Sequence, residues 1–378
     1  MVKIRQVSGA RDIKEFIEFP LRLYKNCPQF VPPLYSDEKK LLKADRDNES
    51  AESVFFLAER DGVTVGRIQG IIQKEYNRIH DCSKIRFTRF DAIDDQEVAS
   101  ALFGAIERFG KDRGMNAICG PLGYSDLDRE GLLVEGFEED STFEEQYNYE
   151  YYGKLVEGCG FSKDADWLEF ELTKPDKRNE MLGRVAKRSL ELNKLHIADP
   201  NMPKKDYINK YRDGFFDCIE ECYRHLYGTV PISREAQDEL ISQFMLLLNN
   251  EYIIFICDND DRVVGLGLCF PSIGGALKKS GGRLTLPALL KVMSIAKKPE
   301  VIDLGLVAIR PEYQNAGLNA VILNILLDIL EEGRIKRCET NLNLETNTPV
   351  ISQWKYFNAR QHKRRRSYIK NIGGKENA

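Results

Sequence analysis

One run of residues combines types and spacing suited to holding an anion. It reads I-R-P-E-Y-Q-N-A-G-L-N-A, from Ile309 to Ala320. Gly317 lets a backbone approach a ligand closely. Gln314 and Asn315 keep the run polar without adding negative charge. If the run leads into a helix, the first N–H groups lack partners and lie at the positive end of the helix dipole. Such a place suits phosphate best.

The flanking residues say which elements must present it. Val301 to Ile309 is apolar, rich in β-branched residues and one strand long. Arg310 and Pro311 stop the strand, because proline has no N–H for a ladder. Beyond Ala316, Val321, Ile322, Ile325, Leu326, Ile329 and Leu330 recur at helical spacing and form one apolar face. The unit is therefore strand, tight loop, helix.

The wording of the loop resembles the acyl-CoA loop of the GCN5-related N-acetyltransferase (GNAT) superfamily. Ile309, Pro311, Gln314 and Gly317 match that pattern; Asn319 stands where the family usually has its last small residue, with Ala320 beside it. The resemblance implies that the backbone amides of Gln314, Asn315, Ala316, Gly317, Leu318 and Asn319 hold the pyrophosphate of CoA. It also implies that Val307 and Ile309, at the strand end, pair with the pantetheine arm. The co-substrate is then acetyl-CoA or another acyl-CoA, with no metal.

The chain of 378 residues has room for two domains. A net charge of −4 gives no global basic excess for nucleic acid, and no apolar run approaches a membrane span. We expect neither partner, and we expect the cytoplasm, since nine scattered cysteines without a C-x-x-C pair suit a reducing compartment. Cys218 and Cys222 lie four apart on an expected helix, but with four histidines in the chain they read as plain thiols.

The elements repeat. Strands are expected at Val2–Val7, at Val54–Glu59 and Val63–Ile72 as a hairpin around Asp61-Gly62, and at Lys84–Ile93, Met115–Leu122 and Phe161–Leu172, and helices at Ala10–Tyr24, Gln96–Arg113 and Tyr149–Glu157. The order recurs after Arg178, with helices at Arg178–Leu192, Lys205–Leu226, Arg234–Asn249, Pro349–Asn358 and an extra one at Arg283–Lys297. Strands there are Leu195–Ala198, Tyr252–Cys257, Arg262–Phe270, Val301–Ile309, Lys336–Leu344 and Arg364–Lys370. We expect an α/β (α+β) fold of two GNAT-like domains, each a mixed central sheet flanked by helices. Residues 1–174 form a degenerate copy and 175–378 the acyl-CoA-binding copy, joined near Thr173–Lys177. In the first copy the loop F-D-A-I-D-D-Q-E-V offers no glycine, and Asp94 and Asp95 repel phosphate.

Other residues carry chemistry less directly. Gly120 to Tyr152 is Gly-rich and acidic, with five tyrosines, and suits a small-molecule or peptide amine acceptor. By resemblance a tyrosine on the helix after the fifth strand protonates the departing thiolate. Trp354 holds that place here, so Tyr356, two residues on, is the candidate acid. Glu345 is the candidate base, ahead of Asp303 and Glu312. The basic run His362–Tyr368 reads either as a phosphate or nucleic-acid contact or as a solvated turn and edge strand. The function expected is N-acyl transfer from acyl-CoA, most simply acetyl, to a primary amine. The rivals are a Fem-like tRNA-dependent aminoacyl transferase and a non-catalytic CoA-binding protein. The oligomeric state is left open.

Overall fold

The computed structural model describes residues 1–43 and 50–373. They form two compact units, and the units are not plain halves. The first takes Met1–Leu168, Gly274–Leu289 and the chain from Lys363 onward; the second takes Glu169–Ile273 and Leu290–His362. The expected junction at Thr173–Lys177 lies just past the first of these changes.

The first unit begins β1 (Lys3–Gln6), α1 (Ala10–Leu23), α2 (Tyr35–Lys43), β2 (Ala51–Arg60), β3 (Val63–Gln73), α3 (Lys74–Ile79) and β4 (Lys84–Ala92). It continues α4 (Gln96–Lys111), β5 (Ala117–Gly120), β6 (Leu132–Glu135), α5 (Tyr151–Gly158) and β7 (Ser162–Thr173), which passes into the second unit at Glu169. β2 and β3 form the expected hairpin, and Asp61 and Gly62 both take positive φ, 52° and 78°, as a two-residue turn of that hand requires. β4 and β5 run parallel from Lys84↔Ala117 to Arg86↔Cys119, after which β4 continues without β5. Phe87, Phe90, Phe103 and Phe161 interlock on one face of the sheet, with ring centroids 4.8–5.5 Å apart.

The second unit holds α6 (Glu180–Asn193), β8 (His196–Ile197), α7 (Lys204–Tyr223), α8 (Arg234–Phe244), β9 (Ile253–Cys257) and β10 (Val263–Pro271). Next along the chain are α9 (Gly274–Leu277), which belongs to the first unit, and α10 (Leu286–Lys297), which passes from the first unit into the second at Leu290; β11 (Val301–Ile309), α11 (Leu318–Glu331), β12 (Arg337–Thr340), β13 (Asn343–Leu344) and α12 (Thr348–Ile351) are in the second, and β14 (Asn358–Asn371) returns to the first at Lys363. The strands β8, β9, β10 and β11 pair antiparallel in that order, and β12 joins β11 in parallel. The expected helix Pro349–Asn358 is only one α turn followed by a tight 3-10 stretch, Ser352–Tyr356, and Asn358 already starts β14.

The basic run is neither a phosphate contact nor a solvated edge. Its residues from Lys363 lie in the middle of the first unit's sheet, where β14 pairs with β5 and with β6. Lys363, Arg365 and Ser367 are buried. Arg364 and Arg366 close on the buried Asp166, with Nη1–Oδ2 3.1 Å and Nε–Oδ1 2.8 Å. Burial alone would raise the Asp166 carboxyl, but hydrogen bonds from Arg366, Lys163 and Arg364 outweigh it and hold the group at about 2.

Candidate functional site

In the second unit the strand, loop and helix form where the sequence places them. The parallel register of β11 and β12 runs only from Val301↔Arg337 to Leu304↔Thr340. It ends with the Asn341 N–H donating to the Leu304 carbonyl at 3.1 Å. The strands then part, and the edge of β11 from Gly305 to Ile309 has no strand beside it among the described residues. Such an edge can pair with an extended ligand.

Side chains of α7 meet that edge instead. The Tyr223 hydroxyl donates to the Val307 carbonyl at 3.0 Å and lies 3.4 Å from the Val307 N–H. The Cys222 thiol donates to the Ile309 carbonyl at 3.2 Å. Arg310, buried at the strand end, donates from Nε to the Val263 carbonyl at 2.8 Å and pairs with Glu221. The end of α7 is thus tied to the strand through three consecutive residues. Sequence reasoning treated the two cysteines as plain thiols and passed over Tyr223. The polar run E-E-C-Y at a helix end facing a strand was the one signal available.

The loop then turns tightly. The Tyr313 N–H donates to Arg310 at 2.9 Å, the Gln314 N–H to Pro311 at 3.3 Å and the Ala316 N–H to Tyr313 at 3.0 Å. Gln314 and Ala316 therefore spend their amides inside the turn. No described backbone group accepts from Asn315, Gly317, Leu318 or Asn319, and no side chain caps α11. Gly317 has φ 78°, a left-handed angle that glycine alone adopts readily. A Cβ there would meet Val185 Cγ1 at 3.3 Å, on α6 behind the loop. The Ser189 hydroxyl of the same helix donates to the Ala316 carbonyl at 2.5 Å and fixes the loop from that side. Gln314 and Asn315 are exposed.

The corresponding place in the first unit is filled by its own residues. The Asp95 carboxylate caps α4, accepting from the Glu97 and Val98 amides at 2.9 and 3.3 Å, and pairs with Arg60 at 2.7 Å. These bonds lower the Asp95 carboxyl, that from Arg60 most. One carboxylate occupies the amides that an anion would need.

The other candidates lie as follows. Tyr356 is half-buried, with the Lys355 ammonium 5.4 Å from its ring centroid. Trp354 is buried against Phe357. Glu345 is half-buried just after β13. Asp303 is buried on β11, opposite Glu339 of β12. Glu312 is exposed and pairs with Arg262 at 3.2 Å. Among the described residues no three His, Cys, Asp or Glu side chains gather as metal ligands would.

The Gly120–Tyr152 loop packs inward rather than standing in solvent. It supplies β6 and the buried residues Glu130, Glu145 and Asn148. Burial, first, and then Asp126 push the Glu130 carboxyl well above the ordinary range.

No protein-family model matches the chain. It is 26% identical to "Protein YghO" of Escherichia coli K12 over 98% of this chain and 95% of that one. It is 25% identical to "Bacterial ceramide synthase" of Caulobacter vibrioides over 74% of this chain and 72% of that one. Among solved structures, a tandem GNAT protein from the clavulanic acid biosynthesis pathway superposes with a TM-score of 0.57, at 11% identity and over all of both chains.

Proposed function

From the tandem GNAT fold of this chain, we propose that its second unit binds acyl-CoA and passes the acyl group to an amine. The observation that carries the reading is the contrast between two equivalent helix starts. The first is filled by Asp95, whereas the start of α11 presents the amides of Asn315, Gly317, Leu318 and Asn319 beside the edge of β11 that has no strand on it among the described residues and that the Tyr223 and Cys222 side chains touch. A diphosphate on those amides leads an attached arm along Val307 and Ile309.

The reaction is direct. The amine nitrogen attacks the thioester carbonyl, whose oxygen takes up negative charge against a backbone N–H near Ile309. The C–S bond then breaks. The surplus proton of the ammonium goes to Glu345, and the thiolate takes a proton from Tyr356. The products are an amide and free CoA.

Acetyl is the simplest acyl group. The ceramide synthase relative adds a second possibility to test, since a ceramide is an amide of a long-chain amine. The experiment incubates the protein with radiolabelled acetyl-CoA or palmitoyl-CoA and a panel of amines that includes sphinganine. A labelled amide is the expected product. CoA binding without any amide would leave a non-catalytic binder. Failure to bind CoA would move the reading to aminoacyl transfer from tRNA.

A further inference from the structure

We propose that the exposed face of α10 docks the protein on an anionic lipid bilayer. This stands on the helix itself and not on the acyl-transfer reading. Ala288 and Val292, one turn apart, are the buried side of α10. A surface helix ordinarily carries polar residues on the side opposite. Here Leu286, Leu290 and Met293 stand there, spaced i, i+4, i+7, and so within about 60° of one another around the axis. They are 70%, 58% and 48% exposed, and Leu284 just before the helix is 45% exposed.

The charge that this stretch of chain itself carries has one sign. Between Arg262 and Glu300 there is no Asp or Glu. Lys278 pairs with Asp140 at 2.7 Å and Arg283 with Glu18 at 2.8 Å. Along the helix and beside its ends, the side chains of Lys279, Lys291, Lys297 and Lys298 reach solvent. In a chain of net charge −4 this is a local reversal. Leucine and methionine seated among lysines match the boundary between acyl chains and anionic headgroups. Protein interfaces are depleted in lysine and enriched in aromatic residues, and this face has none of the latter.

The two residues Gly282 and Arg283, ahead of α10, pack closely on the chain around Pro33 and Tyr35. Gly282, at φ 76°, lies so close to the Pro33 carbonyl that a Cβ would fall 1.8 Å from its oxygen. The Arg283 guanidinium stacks over the Tyr35 ring at 4.0 Å. The expectation that no membrane takes part rested on run length, and a helix lying on a surface needs no spanning run. No helix among the described residues is long and apolar enough to cross a membrane.

The test is flotation of the full chain with vesicles of phosphatidylcholine plus phosphatidylglycerol, and of phosphatidylcholine alone. The wild type should float with the anionic vesicles and lose binding as salt rises. Leu286→Glu/Leu290→Glu, with its fold checked by circular dichroism, should bind at least about tenfold more weakly. Lys291→Gln/Lys297→Gln/Lys298→Gln should lose the preference for anionic lipid. Absence of wild-type flotation, or flotation unchanged in the folded leucine variant, overturns the proposal. A concentration-dependent dimer that the leucine variant abolishes, with no vesicle binding, would make the face a contact between copies instead.

Discussion

Replacing Gly317 by glutamate tests the anion cradle where its geometry is sharpest. Two effects separate. Holding a residue with a Cβ at φ 78° costs about 1–2 kcal/mol of fold stability. The Cβ itself, 3.3 Å from Val185, adds little more, because one methyl need yield by only a few tenths of an ångström. Gly317→Ala should show that loss alone. Glutamate adds a charge beside a diphosphate of about two charges. At roughly 5 Å and an effective dielectric between that of water and half of it, the repulsion is about 2–3 kcal/mol. The exposed Gln314 and Asn315 put the loop in that well-screened regime. CoA affinity should fall about thirty- to hundredfold. Calorimetric titration of CoA at low and high salt is the assay, with melting curves as the control. The loss should shrink as salt screens the repulsion. Wild-type affinity in folded Gly317→Glu would refute the cradle.

Three more outcomes follow from the same contacts. Tyr223→Phe removes the hydroxyl that competes for Val307, so CoA should bind about fivefold tighter by calorimetry if the arm pairs there; unchanged affinity places the arm elsewhere. Asp95→Ala should cost about 1 kcal/mol of stability through the lost cap, read as a lower melting point, and should leave CoA affinity unaltered. Buried Glu38 is the third: desolvation raises its carboxyl, yet Arg89, bonded at 2.8 Å, outweighs this and holds it at about 2 against an ordinary 4.5. A depressed carboxyl stabilises the fold above its unfolded value and loses that contribution as pH falls toward 2. The contribution at neutral pH is about 3 kcal/mol, and Glu38→Gln should flatten the acid limb of a stability–pH curve between about 4 and 2.

The strand–loop–helix unit was legible because Pro311 and Gly317 act locally: one ends a ladder, the other takes an angle few residues accept. The Asp61-Gly62 hairpin was legible for the same reason. α2 was not, since Pro32 and Pro33 read as loop and hide a helix starting at Tyr35. The run from His362 to Tyr368 misled more deeply. Six polar residues in a row look solvated, and the carboxylates that let Arg365 be buried and Arg364 and Arg366 half-buried, Glu145 and Asp166, lie some two hundred residues earlier. The site divides likewise. The amides of α11 follow from local signals, while Tyr223 reaches Val307 across 84 positions of chain.

The place of β14 bears on how the chain is made. The first unit includes Met1–Leu168, but the strand that pairs with β5 and neutralises Asp166 begins only at Lys363. Translation adds roughly 5–20 residues per second, so about ten to forty seconds separate the two segments on the ribosome. Throughout that interval the edge of β5 is bare and the Asp166 carboxylate lacks both arginines. The nascent first unit must therefore wait, partly folded, for the last strand to be released, and any truncation before Lys363 leaves its sheet open.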